Sequence, residues 1–287
     1  MQLRRRAQTH KVGETVQNEY PLICPVCGDS LFQQDRTYRC GSSHSFDTAR
    51  GGYINLLTVQ KRHSKVPGDA KDMLLARRDF LERGFYMPIC RDVAQCINRY
   101  ADSSSPLVVD CGCGEGYYTD KIRELCSARC VGVDISKEAV RMCCPRNKEI
   151  LWTVANISAI PLADGSADAV TAIFSLFHEK EYHRILKSGG IVAEVTAGSR
   201  HLIELKQHIY KEVFEQHKSP APAGEGFETL ELRDESFVIS PGSEELASLL
   251  AMTPHSRRMS HSLREQAASL EGMDVTVNYI IRVLKKK

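Results

Sequence analysis

The chain has a single tryptophan in 287 residues and no excess of either charge: 38 Lys and Arg face 36 Asp and Glu, a formal +2. Such a balance exerts little long-range pull on a polyanion or an anionic surface, so any nucleic-acid contact has to come from local clusters. No apolar run approaches the eighteen or so residues of a membrane-spanning helix, and no membrane partner is expected. Internal repeats and low-complexity blocks are absent, which excludes solenoid and array architectures. The first ten residues carry Arg4, Arg5 and Arg6 but no apolar core, so no secretory signal is read there. Eleven cysteines, an odd number without such a signal, argue against a disulfide framework. The expectation is a reducing, cytoplasmic location, with the thiols acting as metal ligands or small buried hydrophobes. What remains is ordinary globular composition, 42% hydrophobic and 26% charged, and enough length for one large domain plus a small one.

The most informative stretch is Leu107-Val-Val-Asp110-Cys-Gly112-Cys-Gly114-Glu115-Gly116. A short apolar strand runs into three alternate glycines, which let the backbone turn sharply and lie against a ligand that a Cβ would push away. A second strand, Cys130 to Val133, ends on Asp134. An acid about twenty residues beyond the glycines is placed to accept hydrogen bonds from ribose hydroxyls. A dinucleotide fold uses the same devices, but an acid directly before the glycines favours S-adenosylmethionine, whose cationic amino-acid end has no phosphate to cradle. On this reading Asp134 fixes the ribose, Gly112 and Gly114 admit the methionine end, and Asn156 reads the adenine edge. Asp110 holds the loop and attracts the positive charge.

Near the amino terminus Cys24-Pro-Val-Cys27 is followed by Cys40 and His44. Cys-x-x-Cys around a tight turn, eased by Gly28, brings two thiolates to one ion, and Cys40 with His44 completes a tetrahedron. Three sulfurs and an imidazole leave no position for water, the mark of structural zinc, one per chain. The segment cannot bury a useful core unaided, so the ion would supply its folding energy.

Around these motifs the chain reads as a polar tail over 1–20, a zinc-binding module over 21–58, a basic helical linker over 59–105 and a catalytic domain over 106–287. Asp69 is expected to cap a helix running through Leu81, and a second helix covers Met87 to Tyr100. Strands then alternate with helices: 107–110, 130–133, 150–154, 168–173 and 190–195, with a glycine-terminated helix around 180–186. This pattern predicts an α/β, Rossmann-like parallel sheet covered on both faces. A helix after His201, late strands at 227–239 and 273–284, and a helix at 244–250 follow.

Taken together, these motifs resemble the RlmA-type bacterial methyltransferases that modify a guanine N1 in large-subunit (23S) ribosomal RNA. The likeness spans roughly residues 21 to 285. It rests on the zinc knuckle, His44-Ser-Phe-Asp47, Gly52-Tyr-Ile-Asn-Leu-Leu57, Pro67-Gly68-Asp69, Ala76-Arg77-Arg78, the glycine loop through Tyr118 and Arg200-His-Leu-Ile-Glu-Leu-Lys206. The resemblance implies an RNA-recognising zinc module, a homodimer, and cofactor contacts at Tyr86, Gly114, Glu115 and His201. The chain departs from the family where relatives carry a proline after the fourth strand: it reads Phe174-Ser-Leu-Phe-His178, a corner that in many methyltransferases lies against the target base. The tail before Pro21 is also extra.

Guanine N1 carries a proton that a base must remove at or before transfer. His178, Glu179, Asp164 and His201 are the candidate bases, and Phe174 and Phe177 could stack on a base drawn out of its helix. Lys61, Arg62, Lys65, Arg77 and Arg78 form a basic seam fit to track phosphates. Two alternatives stay open: a methyltransferase for small molecules, which has little use for a zinc knuckle, and a non-catalytic RNA-binding protein that retains the fold.

Overall fold

The computed structural model describes residues 19–58, 68–210, 220–253 and 271–287. Three short strands, β1 (Phe32–Gln34), β2 (Thr37–Arg39) and β3 (Ser45–Asp47), form an antiparallel sheet in the order β1-β2-β3. Asp35 makes the first hairpin with a left-handed φ of 54°. The next strand, β4 (Ile54–Asn55), leaves this sheet and pairs in parallel with β7 (Leu151–Val154), Ile54 opposite Thr153.

Two helices follow, α1 (Lys71–Glu82) and α2 (Met87–Tyr100), each with an apolar stripe at helical spacing: Met73, Leu74, Phe80 and Leu81 on the first, Ile89, Cys90, Val93 and Ile97 on the second. Asp69 does not cap α1. The cap position is Ala70, without a side-chain bond, and the Asp69 carboxylate turns to Arg77 instead.

The chain then alternates: β5 (Leu107–Cys111), α3 (Tyr117–Cys126), β6 (Arg129–Asp134), α4 (Lys137–Cys143), β7, β8 (Ala167–Ile173), α5 (Glu179–Ile185) and β9 (Leu186–Ala197). After α6 (Ile203–Ile209) come β10 (Phe227–Ile239), α7 (Ser243–Ala251) and β11 (Val275–Lys286). The eight strands run β10-β11-β9-β8-β5-β6-β7-β4. β4 through β9 pair in parallel, and β11 is antiparallel to both of its neighbours. The central strands are buried along their whole length, as a sheet covered on both faces requires. β9 begins at Leu186, directly after α5 and four residues before the expected start, because Leu186 already pairs with Ala167 across a bulge. The chain leaves β5 toward β6 and β7, then crosses back to β8 and β9. The strand order therefore reverses between β5 and β8, where a ligand crevice forms in such folds.

The zinc-binding segment packs directly on this sheet. Leu22, Leu31, Tyr38, Ile54 and Leu56 share one core with Val131, Val133, Ala155 and Leu162. Leu22 bridges Leu162, and the Tyr20 hydroxyl donates to the Glu149 carbonyl at 3.0 Å. Residues 1–18 of the expected tail and the run 59–67 lie outside the described residues.

Candidate active site and zinc knuckle

The loops that leave β5, β6 and β8 enclose a cleft of about 1340 Å³. Its floor is the glycine loop. Gly112, Gly114 and Gly116 all have positive φ, 83°, 56° and 89°. At Gly112 a Cβ would come within 2.1 Å of Ser175 Oγ, so only glycine lets the β5 and β8 loops meet.

Asp134 holds this loop from below. One carboxylate oxygen accepts the Gly114 N–H at 2.9 Å and the other the Ser136 N–H at 2.7 Å. Burial raises its pKa, opposed by those two N–H donors. Asp110 lies deeper and does not line the cleft. Its two oxygens accept from the hydroxyls of Thr119 and Thr171 at 2.5 and 2.8 Å. Burial pushes its pKa up to about 6, against the two hydroxyl donors. Its structural part is to tie β5 to α3 and β8.

A pH dependence follows from Asp110. Its folded-state pKa is raised from 3.8 to about 6, so the folded state binds the proton more tightly than the unfolded chain does. Stability from this group is greatest below pH 3.8 and falls as pH rises through about 6, by roughly 3 kcal/mol at most. In Asp110→Asn that component is expected to vanish. Melting curves of both proteins between pH 4 and 7 check it; parallel curves would contradict it.

Among the residues implied by resemblance, Tyr86, Gly114, Glu115 and His201 all line the cleft. Tyr86 is 2% exposed, and its hydroxyl has no hydrogen-bond partner among the described residues. An orphaned buried hydroxyl costs about 1–3 kcal/mol unless a ligand answers it, so the cleft fits a polar cofactor. Glu115 faces the loop through its backbone, while its carboxylate pairs with Arg146 at 2.5 Å. Asn156 lines the cleft and folds its amide oxygen back onto the N–H and hydroxyl of Ser158 at 2.9 and 2.8 Å.

His201 Nδ1 lies 2.9 Å from the Asn278 carbonyl oxygen. A carbonyl only accepts, so Nδ1 carries a proton, and in the neutral form of the ring Nε2 is the acceptor nitrogen. The ring sits among Tyr86, Phe174 and Tyr118: centroids are 6.3 Å from His201 to Tyr86, 5.7 Å from His201 to Phe174, and 6.4 Å from Phe174 to Tyr118. Phe174 has a left-handed φ of 52° and is 40% exposed, and Leu176 beside it is 71% exposed. A strained non-glycine residue offering an apolar ring to a cleft is what a ligand-facing position looks like.

The remaining expectations separate. His178 lines the cleft at the start of α5. Glu179 is turned away against Gly224, and Asp164 is largely exposed and paired with Arg184 at 2.6 Å. Neither carboxylate reaches the cleft, so both fail as bases on geometry. Phe177 packs edge-on against Tyr182 under the Arg282 guanidinium, not toward a ligand. In the basic seam, Lys61, Arg62 and Lys65 lie outside the described residues. Arg77 lines the cleft, and Arg78 pairs loosely with Asp79 at 3.9 Å. Sequence reasoning missed the cleft positions of Asp69, Tyr118 and Ser175.

At the other end of the chain the ligand atoms of Cys24, Cys27, Cys40 and His44 all lie within 4.8 Å of one another. Cys27 Sγ is 3.6 Å from Cys40 Sγ, and Cys40 Sγ is 3.4 Å from His44 Nδ1. Sulfurs about 2.3 Å from a tetrahedral zinc stand roughly 3.8 Å apart, so donor set and spacing fit zinc. The Gly28 N–H closes the first knuckle on the Cys24 carbonyl at 2.9 Å, and the Ser43 N–H closes the second on Cys40 at 3.1 Å.

Comparison with known proteins agrees with both halves. Residues 22–65 match the RlmA N-terminal zinc-ribbon family, and residues 109–193 match a methyltransferase domain family. A 23S rRNA (guanine(748)-N(1))-methyltransferase of Streptomyces fradiae is 37% identical over 64% of this chain and 66% of its own length. A Micromonospora griseorubida protein with the provisional name 23S rRNA (guanine-N(1)-)-methyltransferase is 32% identical over 66% of this chain and 69% of its own. The chain belongs to the RlmA-type 23S rRNA guanine-N1-methyltransferase family. A Bacillus subtilis strain 168 member, named provisionally in the same way, extends the likeness to 91% of this chain and 95% of its own at 28% identity. The family's methyltransferase domain uses S-adenosylmethionine, and its ribbon holds structural zinc.

Proposed function

We propose that the chain transfers a methyl group to N1 of a guanine in a hairpin of 23S ribosomal RNA. The observation that supports this most is the aromatic wall of the cleft. The volume exceeds the 300–1,000 Å³ usual for one small ligand, and its far side presents Tyr118, Phe174 and His201 to a second, flat partner.

S-adenosylmethionine supplies an electrophilic methyl on a sulfonium, and the chain's own part is positioning and proton removal. Gly112, Gly114, Asp134, Asn156 and Tyr86 would hold the cofactor. Phe174 would stack on the extruded guanine, and Leu176 would fill the space it leaves. Either His201, through Nε2, or His178 would take the N1 proton. With Nδ1 committed to the Asn278 carbonyl, His201 is the better oriented of the two. In this reading residues 21–58 recognise the RNA, 59–105 link, and 106–287 catalyse. A homodimer, as the resemblance implies, and a cytoplasmic location, as the unpaired cysteines suggest, accompany it.

The test is transfer of labelled methyl from S-adenosylmethionine to 23S rRNA lacking the modification, with the product base identified by mass spectrometry. N1-methylguanine is expected from the wild type, and a large loss of turnover from His201→Ala. Methylation of a small molecule but not of the RNA would overturn the assignment.

A further inference from the structure

The Asp69–Arg77 pair stands inside the cleft rather than on the surface. Arg77 leans in from the middle of α1, with its side chain 25% exposed, and its Nη2 donates to Asp69 Oδ2 at 2.7 Å and to the Met252 carbonyl at 3.5 Å. Nη1 lies 3.4 Å from the point that a Cβ on Gly114 would occupy. Among the described residues Nη1 has no hydrogen-bond partner. The guanidinium thus lies against the glycine loop, with Nη2 already engaged and Nη1 beside Gly114 in the lining of the cleft. Asp69 reaches the same place from a turn that Gly68 makes possible: its φ is 92°, and its absent Cβ leaves room for Ser136. The orphaned hydroxyl of Tyr86 lines the same cleft.

These groups match the charges of one particular ligand end. A free amino-acid terminus is a zwitterion, and it needs a cation for the carboxylate and an anion for the ammonium a few ångströms away. A phosphate would use Arg77 but would be repelled by Asp69; an adenine or ribose needs neither charge. Arg77 can give its second nitrogen to a carboxylate without releasing Asp69, because the guanidinium carries five N–H donors.

We infer that Asp69 and Arg77 are the seat of the amino-acid end of the methyl donor: Arg77 Nη1, with the Tyr86 hydroxyl, receives the α-carboxylate, and Asp69 faces the α-ammonium. Arg77 therefore serves the cofactor and not an RNA backbone. The inference rests on the methyltransferase reading above.

Two probes separate the possibilities: S-adenosylhomocysteine, which has the amino-acid end, and 5′-methylthioadenosine, which lacks it. Titration calorimetry of the full zinc-loaded chain is expected to show Arg77→Met weakening S-adenosylhomocysteine about 10- to 100-fold, the worth of a charge-assisted hydrogen bond, with 5′-methylthioadenosine affinity unchanged. Arg77→Lys, keeping the charge without the fork, should fall between. Equal losses for both probes, or no loss for either, would overturn the inference. So would unchanged nucleoside affinity with weakened RNA binding, which returns Arg77 to a phosphate role. If the wild-type chain binds neither probe, it is the methyltransferase reading that fails. Should Arg77→Met fold poorly, Asp69→Asn supplies the same comparison from the ammonium side, with selective loss of S-adenosylhomocysteine expected.

Discussion

Stripping the zinc, by chelation or by Cys40→Ser, is expected to unfold residues 21–58 and to lower the melting temperature of the remaining chain by several degrees. A structural zinc contributes on the order of 10–16 kcal/mol to the folding of a small module, and three thiolates with an imidazole cannot be replaced by packing in a segment this short. The loss does not stop at the knuckle. Leu22, Leu31 and Tyr38 would leave the core they share with Val131 and Leu162, and β4 would lose the turn that delivers it to β7. The centre of the sheet keeps its own apolar strands, so most helical circular dichroism should remain. Zinc content, circular dichroism and melting curves measured on one preparation check this. A metal-free chain with an unaltered melting curve would show that the module is not zinc-dependent.

Asp134→Ala is expected to abolish S-adenosylhomocysteine binding while lowering stability only moderately. The carboxylate accepts the Gly114 and Ser136 N–H groups, and each buried N–H left without a partner costs about 1–3 kcal/mol. The glycine loop would relax toward the space the cofactor needs, and any ribose contact made by the same oxygens would go with it. Asp134→Asn keeps one acceptor oxygen and should bind weakly. Affinity unchanged in Asp134→Ala would remove this residue from the site.

The chemistry of this chain was legible where it depends on short runs of special residues. The knuckle cysteines, the alternate glycines and Asp134 each carry a local requirement, so spacing alone announces them. The strand and helix order was legible because short, mostly apolar runs such as Leu107 to Cys111 and Ala167 to Ile173 are buried along their whole length. The β4 strand was not, since two residues carry no periodicity and Ile54 is explained only by Thr153, far along the chain. The side-chain directions were hidden for the same reason. Nothing near Asp164 says that Arg184 will claim it, and nothing near Arg77 says that Gly114 leaves room beside it. Phe174 and Phe177 look alike in sequence. Only the left-handed turn at Phe174 sends one ring to the cleft and the other under Arg282.

The pairing of β4 with β7 also sets a timetable for synthesis. As the chain emerges from its own ribosome, Cys24 to His44 can capture zinc at once, since all four ligands are local. The apolar back of the knuckle, Leu22, Leu31 and Tyr38, must then wait for Val131, Ala155 and Leu162 to be made. Contacts closed so late in sequence form slowly and leave sticky surface uncovered meanwhile. Early metal capture shortens that exposure, because a knuckle already closed presents its apolar face as one formed patch instead of a disordered segment. Zinc supply during translation, more than after it, should therefore govern how much of this protein reaches the native state.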